Sequence, residues 1–326
     1  MHDLVGDLAR WAAGDTFCRL DDKPQGGCSQ KTRYLTYISG KFDGVKRLEK
    51  LSDAKRLRTF LPLSVSNGYE NCLTGYATSD LLPKLKYLQV LSFKGYKLTK
   101  VPDSIGNLRH LQYLDLSHTL IMSLPESTCK LYNLQTLILE SCSKLKTLPS
   151  DLSNLSNLRH LKNSNIPSLG EMPPQVSRIS HLRTLANFVV GKGSVSGIGE
   201  IGLLHLRGTL RIGRLENVID VEDAKRAQIM SKEALETLQL DWSGTSEKEA
   251  EVLCSLEPHK KVLQVTIKGY NGFEFSKWIG HPSFSDMTFV KLENCKNCRF
   301  LPPLGQLPCL KQVYIRGMSS VESVKA

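Results

Sequence analysis

The sequence is poor in aromatic residues and contains no long apolar run. Phenylalanine, tryptophan and tyrosine make up 7% of the 326 residues, and no apolar stretch approaches the roughly 18 residues that a membrane-spanning helix requires. Asp3 and Asp7 stand where a secretory signal would have a basic and then an apolar segment. We therefore expect a soluble chain without a membrane span.

Signatures of catalysis and of nucleotide binding are also missing. The chain has no G-x-x-x-x-G-K-[ST] loop, whose backbone and lysine hold nucleotide phosphates. It also has no H-E-x-x-H and no G-x-S-x-G motif. We therefore expect no enzyme activity and no ATP or ADP bound by this chain.

The nine cysteines are an odd number scattered along a long chain, so we expect reduced thiols, as in a cytosolic protein. Cys295 and Cys298 have the C-x-x-C spacing of a zinc half-site or a redox pair. Zinc needs two more ligands, and there is no second pair. We predict structural thiols and no metal site.

The formal charge of +11 would suit a nucleic acid or an acidic membrane as partner. The basic residues are spread along the chain, without a dense lysine and arginine block and without interleaved aromatic residues. The simpler interpretation is a solvated surface, and we expect no nucleic-acid partner.

The strongest pattern in the sequence is a repeat of 23 or 24 residues. Leu91, Leu114, Leu137, Leu161 and Leu185 mark it, and the spacing L-x-x-L-x-L is typical of the core of a leucine-rich repeat. A single repeat cannot bury its apolar edge alone, so the repeats must stack. The predicted fold class is an α/β solenoid, a leucine-rich-repeat horseshoe with a parallel sheet on its concave face.

Proline-containing segments separate the leucine triplets and favour turns or short helix starts, since proline fixes φ and lacks an amide donor. The prolines are Pro102, Pro125, Pro149 and Pro173. The ninth template position, where a side chain can satisfy backbone groups at the end of a strand, holds Tyr96, Thr119 and Cys142. Asn163 and Asn187 replace the third leucine of the last two repeats.

The pattern continues on both sides of these repeats. We predict strands at 34–38, 57–61, 209–212, 235–240, 262–267, 287–292 and 310–315. We also predict an amphipathic helix over 1–13, a linker rich in glycine over 14–33 and a helix over 221–234.

Gly197, Gly199 and Gly202 spell G-x-G-x-x-G, as in dinucleotide-binding folds. That interpretation needs a strand leading straight into the glycines, a helix opening on them and further βαβ units. Six residues separate Val190 from Gly197, and repeat leucines resume at Leu203. We favour a loop between repeats over a cofactor site.

The chain opens with Met1-His2-Asp3-Leu4, and it later contains Leu206-Arg207-Gly208-Thr209-Leu210 and Leu301-Pro302-Pro303-Leu304-Gly305. In this order, such phrases resemble plant nucleotide-binding leucine-rich-repeat disease-resistance proteins of the coiled-coil class. The first phrase looks like the MHD motif of that family. The resemblance implies two domains: residues 1–33, the end of the nucleotide-binding region, and residues 34–326, the leucine-rich-repeat domain.

The resemblance also implies roles. The histidine of the MHD motif senses bound ADP in the family, which places cofactor binding on Met1, His2 and Asp3. Without a phosphate loop we expect that role to be inactive here, with ADP or ATP bound only in a full-length relative. The repeats are expected to bind proteins: a pathogen effector, a guarded host protein or the nucleotide-binding domain of a resistance protein. The expected location is cytoplasmic, with the nucleus or the membrane periphery as alternatives.

A second functional interpretation stays open. The segment from Pro102 to Leu108, with the sequence PDSIGNL, also resembles general intracellular leucine-rich-repeat signalling scaffolds. Co-purification with a host kinase or GTPase, without an effect on immunity, would favour that interpretation.

Alternation along each strand predicts the side chains that face outward and bind a protein. They are Ser92, Lys94, Tyr113, Asp115, Glu140, His160, Lys162, Asp241, Phe289, Lys291, Glu293, Tyr314 and Arg316. Tyr113, Phe289, Tyr314 and Arg316 are the expected anchors, since aromatic residues and arginine dominate binding hot spots. On the same logic Leu114→Ala should cost roughly 2 to 5 kcal/mol, and Asp115→Ala should be nearly neutral.

Overall fold

The computed structural model describes residues 14–20, 28–39, 42–43, 49, 51, 53–64, 72–73, 80–193 and 197–324. The helix predicted over 1–13, with the candidate cofactor residues Met1, His2 and Asp3, lies outside the described residues. The chain divides into two compact units. The first comprises Met1–Leu158 and Asn163–Ser168, and the second comprises Arg159–Lys162 and Leu169–Ala326. Both units contain parts of the predicted repeat domain.

The first unit is built on a parallel sheet. Its strands are β1 (Phe17–Leu20), β2 (Tyr34–Ser39), β3 (Phe42–Asp43), β4 (Thr59–Ser64), β5 (Cys72–Leu73), β6 (Val90–Ser92), β7 (Tyr113–Asp115) and β8 (Thr136–Ile138). The sheet runs in the order β1, β2, β4, β6, β7, β8, while β3 and β5 form a separate parallel pair. Leu91, Leu114 and Leu137 are aligned in neighbouring strands. One repeat therefore supplies one strand.

The leucines of the repeat form the core, as the spacing predicts. Leu91, Leu114 and Leu137 are fully buried, and so are Leu116 and Leu139, which directly follow the strands β7 and β8. Each buried leucine side chain contributes about 1.5 to 3 kcal/mol relative to an exposed one. The stack of these side chains holds adjacent repeats together.

The start of the array differs from the sequence prediction. Residues 17–20, predicted to be linker, form β1, which pairs in parallel with β2. Cys18 and Cys28 form a disulfide with their Cα atoms 5.6 Å apart, so the prediction of reduced thiols is wrong for this pair. The bond joins Cys18 in β1 to Cys28, which lies 10 residues later in the chain and before β2. Cysteine spacing alone does not reveal such a pairing in a long chain.

Short 3₁₀ helices form the return path of the first unit. They span Gly14–Thr16, Leu82–Lys84, Asp103–Asn107, Glu126–Lys130 and Leu152–Asn154. Pro102 and Pro125, both in extended conformation, immediately precede two of them. Gly106 is required here, because a Cβ at this position would lie 2.5 Å from the carbonyl oxygen of Ser127 in the next repeat. The prolines therefore mark the return path as predicted.

The second unit is also built from parallel strands. They are β9 (His160–Lys162), β10 (Thr184–Leu185), β11 (Asn187–Val189), β12 (Gly208–Gly213), β13 (Leu235–Asp241), β14 (Gln264–Lys268), β15 (Phe289–Glu293), β16 (Phe300–Leu301), β17 (Gln312–Arg316) and β18 (Ser323–Val324). A six-stranded parallel sheet runs β11, β12, β13, β14, β15, β17. Two further parallel pairs are β9 with β10 and β16 with β18.

Among the described residues of the second unit, two α-helices and five 3₁₀ helices lie outside the strands. The α-helices are α1 (Val221–Arg226) and α2 (Glu249–Ser255); the 3₁₀ helices are Val176–Arg178, Ile198–Ile201, Leu215–Asn217, Ile229–Ser231 and Leu304–Gln306. The side chain of Asp220 caps α1 by accepting a hydrogen bond from the amide of Glu222. The helix predicted over 221–234 is shorter than expected, because Gln228 adopts a left-handed φ of 46° and interrupts it. The fold is otherwise the leucine-rich-repeat solenoid that the sequence predicts.

Candidate functional site

The ninth template position stabilises the ends of the strands in the first unit. Thr119 Oγ1 donates to the carbonyl oxygen of Leu116 at 2.8 Å. Cys142, one repeat later, donates from its thiol to the same oxygen at 3.0 Å. Burial raises the pKa of the Cys142 thiol, so this group stays protonated and remains a donor. The prediction that this position satisfies backbone groups is confirmed for both residues.

The outward face of the first unit is more buried at its centre than alternation predicts. Ser92 and Asp115, predicted to be available to a partner, are 2% and 6% exposed. Asp115 Oδ1 accepts hydrogen bonds from the amide of Ser117 at 2.9 Å and from its hydroxyl at 2.6 Å. This carboxylate therefore fixes the turn after β7. The predicted solvent exposure is wrong for both residues.

Three other predicted residues of the first unit remain accessible. Tyr113 is half-buried, and its pKa is raised first by burial and then by the charge and the hydrogen bond of Asp115. Lys94 and Glu140 are exposed. The accessible candidates of this unit are thus an aromatic ring and two side chains of opposite charge.

In the second unit, the sequence-predicted residues of β15 and β17 come together. Lys291 pairs with Tyr314 and Glu293 pairs with Arg316 in the register of the two strands. Lys291 Nζ lies 2.9 Å from Glu293 Oε2 and 4.9 Å from the centroid of the Tyr314 ring. With Phe289, which precedes Lys291 on the same face of β15, these residues form what we call the β15–β17 cluster.

The charges of Lys291 and Glu293 are paired at the centre of the β15–β17 cluster. The hydrogen bond from Lys291 is the main cause that lowers the pKa of Glu293, and the charges of Lys291, Lys268 and Arg316 act in the same direction. The hydrogen bond with Tyr314 is the main cause that raises the pKa of Arg316. The cluster therefore presents an ordered set of charged and aromatic groups with an excess of positive charge.

Asp241 has a structural role. It is 3% exposed and forms an ion pair with Arg211 of the neighbouring strand β12. The side-chain amide of Gln239 donates to both carboxylate oxygens at 3.0 and 3.1 Å. Its predicted accessibility to a partner is wrong, because the carboxylate is already bound within the sheet.

His160 and Lys162, the remaining predicted residues, lie on β9. Lys162 is exposed, and His160 Nδ1 lies 3.0 Å from the hydroxyl of Thr184 on β10. Burial lowers the pKa of His160, and the charges of Arg207, Lys162 and Arg159 lower it further. His160 therefore sits in a strongly positive environment.

Sequence reasoning missed a cavity beside His160. The cavity has a volume of about 330 Å³ and is lined by Arg159, His160, His181, Arg183 and Arg207. Its three arginines recur every 24 residues, each directly before a strand. That regular spacing was the available signal, but it was masked by the even spread of basic residues along the chain.

Lys232 is a buried basic group in the second unit. It is 4% exposed, and its ammonium donates to the carbonyl oxygen of Leu204 at 2.8 Å. Burial lowers its pKa to about 8. This lysine holds the segment after the Ile198–Ile201 helix without a carboxylate partner among the described residues.

The C-x-x-C pair has a structural role. Cys295 and Cys298 are buried thiols; Cys298 donates to the carbonyl oxygen of Gly272 at 3.1 Å, and burial raises their pKa to about 11 and about 12. In the described part of the chain no group of three or more potential ligands is placed to hold a metal ion. These cysteines are structural thiols, as predicted.

The glycines of the G-x-G-x-x-G sequence permit close packing against α1. A Cβ at Gly197 or Gly199 would lie 2.4 or 2.5 Å from the carboxylate of Asp223. A Cβ at Gly202 would lie 2.1 Å from the carbonyl oxygen of Arg226. The segment forms a 3₁₀ helix rather than the predicted loop.

Solved structures with a similar fold are leucine-rich-repeat proteins. A leucine-rich-repeat protein of Leptospira interrogans aligns with a TM-score of 0.53 and 17% identity, covering 90% of this chain and 72% of that one. The functional domain of InlJ from Listeria monocytogenes aligns with a TM-score of 0.54 and 15% identity, covering 88% and 57%. At these identities the likeness shows the fold alone.

No helix within the described ranges is long and apolar enough to cross a bilayer.

Sequence comparisons are more specific. Residues 198–318 match the family of R13L1/DRL21 leucine-rich repeats, and residues 110–131 match the Leucine Rich Repeat family. Disease resistance RPP13-like protein 1 of Arabidopsis thaliana is 42% identical over 99% of this chain and 32% of its own length. Disease resistance protein RGA2 of Solanum bulbocastanum is 46% identical over 77% of this chain and 26% of its own length. The chain spans about a third or less of these relatives, and it belongs to the plant disease-resistance protein family as a leucine-rich-repeat module.

Proposed function

We propose that this module recognises another protein through the outward face of the sheet in its second unit. The recognised protein is a pathogen effector or a host protein that such an effector attacks. The β15–β17 cluster supports the proposal, because it places two aromatic rings, two cations and one carboxylate on adjacent strands. Aromatic residues and arginine are the side chains enriched in binding hot spots.

The cluster is suited to binding because its groups are already ordered. The ion pair of Lys291 with Glu293 and the contact of Lys291 with Tyr314 restrict the side chains before a partner arrives. Less conformational entropy is then lost on association. Its excess of positive charge favours an acidic surface on the partner, which raises specificity and the association rate.

We propose that this chain binds its partner without catalysing a reaction and without a cofactor of its own.

We also propose that the module acts in the cytoplasm. The free cysteines Cys129, Cys142, Cys295 and Cys298 suit a reducing compartment, whereas the Cys18–Cys28 pair counts against it. Equilibration of the protein at a cytosolic glutathione ratio, followed by alkylation in denaturant, tests this: the proposal expects Cys18 and Cys28 to be labelled, and an intact disulfide contradicts it.

Photo-crosslinking in plant tissue tests the recognition directly. A photoreactive phenylalanine analogue replaces Tyr314 in one variant and the exposed Lys277, outside the strands, in a control variant. The proposal expects crosslinks at position 314 to a pathogen protein or to a host protein during infection, and none at position 277. Equal products at both positions would contradict it. Crosslinks to a kinase or GTPase independent of infection would favour the scaffold interpretation, and crosslinks to a nucleotide-binding domain would indicate a contact within a resistance protein.

A further inference from the structure

Three arginines occupy the same place in three successive repeats of the second unit. Arg159 directly precedes β9, Arg183 precedes β10 and Arg207 precedes β12. The amide of Arg183 donates to the carbonyl oxygen of Arg159 at 2.8 Å, and the amide of Arg207 donates to that of Arg183 at 2.8 Å. Neighbouring strands lie about 4.8 Å apart. The three backbones are therefore adjacent, and their side chains line the same cavity of about 330 Å³, which we call the arginine cavity.

The arginine cavity carries uncompensated positive charge. All five lining residues are basic, and the side chains of Arg159, Arg183, Arg207 and His181 are exposed. None of these arginines forms an ion pair with a described residue. Burial is the main cause of the lowered pKa of His160, and the charges that lower it further come from three cations.

Other basic residues of the second unit do have acidic partners. Arg211 pairs with Asp241, Arg226 with Asp223, and Lys261 with Glu233 at 3.2 Å. Glu233 and Glu236 border a separate cavity that Arg207 also lines. Neither glutamate lines the arginine cavity.

The backbone at this template position does not require arginine. In the first unit the same ladder of backbone hydrogen bonds passes through Gln89, Gln112 and Gln135. Arg33 and Arg58 occupy the same position directly before β2 and β4. Glutamine and arginine both occur at this position of the ladder, so the backbone hydrogen bonds do not account for the charge of the three arginines.

We propose that the arginine cavity binds the phosphate group of a phosphorylated serine or threonine in the protein that this module recognises. A guanidinium offers paired donors that match phosphate oxygens, and clusters of arginine are a recurrent means of recognising phosphorylated segments. The three guanidinium groups and two imidazoles that line the cavity offer the donors and positive charge that a phosphate dianion requires. The inference rests on the proposed function for the nature of its partner.

Fluorescence anisotropy with short, labelled, glycine-rich peptides tests the proposal. The central residue is phosphoserine, serine or glutamate in three otherwise identical peptides. We expect the phosphoserine peptide to bind at least about tenfold more tightly than the other two, since a phosphate adds more charge and more acceptors than a carboxylate. Equal affinities for the three peptides would overturn the proposal.

Matched variants test whether the phosphopeptide binds in the arginine cavity. The triple variant Arg159→Gln, Arg183→Gln, Arg207→Gln carries the residue found at this position in the first unit, and it should fold with an unchanged melting temperature. It should lose the preference for phosphoserine, whereas Arg178→Gln, at an exposed arginine outside the cavity, should keep it. A folded triple variant that retains the preference would overturn the assignment.

Two further probes separate the sources of phosphate. Inorganic phosphate should compete only weakly, and vesicles containing a phosphoinositide should not bind in an arginine-dependent way. Either probe matching the phosphopeptide would assign the cavity to a free anion or to a lipid and overturn the proposal. Loss of the phosphopeptide preference would leave the crosslinks at position 314 intact, so this inference and the proposed function fail separately.

Discussion

The carboxylate of Asp115 accepts two hydrogen bonds from Ser117, one from its amide at 2.9 Å and one from its hydroxyl at 2.6 Å. Both residues are buried. Removing the carboxylate leaves a buried amide and a buried hydroxyl without this acceptor, which costs more than the loss of an exposed charge.

We therefore expect Asp115→Ala to lower the free energy of unfolding by roughly 1 to 3 kcal/mol. The expectation of a neutral effect, drawn from strand alternation, is replaced by this one. Urea denaturation of Asp115→Ala beside Leu114→Ala, expected to lose roughly 2 to 5 kcal/mol, provides the measurement. An unchanged midpoint for Asp115→Ala would show that the two hydrogen bonds add nothing.

The difference between these two expectations shows what the sequence could predict. The inward position of Leu114 and its equivalents follows from a period of 23 or 24 residues, because stacking is the only way to bury them. The donor role of Cys142 followed from the same template. The burial of Asp115 could not be predicted in this way, because the alternation of side chains applies only within a strand. The strand β7 ends at Asp115, and Ser117 in the following turn donates hydrogen bonds to its carboxylate.

Features that join distant positions were also missed. The disulfide of Cys18 with Cys28 depends on β1, a strand that the glycine-rich composition around it concealed. Arg159, Arg183 and Arg207 each follow a repeat leucine and directly precede a strand, but this pattern does not by itself show that their side chains line one cavity. The members of the β15–β17 cluster could be predicted from the sequence, because they occupy outward positions of two strands with clear alternation.

The packing role of the G-x-G-x-x-G sequence leads to a second prediction. Gly202→Ala places a Cβ about 2 Å from the carbonyl oxygen of Arg226, although its φ of −54° suits alanine. We expect this overpacking to lower stability by about 1 to 3 kcal/mol. Gly305→Ala, where no atom lies within 4 Å of the added Cβ, is the control and should be neutral. Equal melting temperatures for the two variants would argue against close packing at Gly202.

The burial of the free thiols predicts a reactivity pattern. Cys254 and Cys309 are exposed, whereas Cys142, Cys295 and Cys298 are buried with a raised pKa. Because the thiolate is the reactive form, iodoacetamide at pH 8 should label the first two rapidly and the other three only after unfolding. Mass spectrometry of peptides at successive times measures the rates. Fast native labelling of Cys295 and Cys298 would contradict their structural role.

Lys232 predicts a pH dependence of stability. Its pKa in the folded protein is about 8, against an ordinary value of 10.5. Between these values the unfolded chain binds more protons at this site than the folded protein, so the contribution of Lys232 to the free energy of unfolding rises with pH. Relative to Lys232→Met, the wild type should gain up to about 3 kcal/mol across this window.

Chemical denaturation of wild type and Lys232→Met at several pH values isolates this effect from other groups that titrate in the same range. The difference between the two proteins should be constant below about pH 7 and should grow above it. Parallel profiles would mean that Lys232 is more solvated than its exposure of 4% indicates.

Recognition by the β15–β17 cluster is the central claim, and calorimetric titration of the protein crosslinked at position 314 tests it most directly. The double variant Tyr314→Ala, Arg316→Ala should bind that protein at least about 30-fold more weakly, which corresponds to the loss of a hot spot worth about 2 kcal/mol. Lys277→Ala, outside the strands, should bind as the wild type does. An affinity of the double variant equal to that of the wild type, with an unchanged melting temperature, would contradict the account.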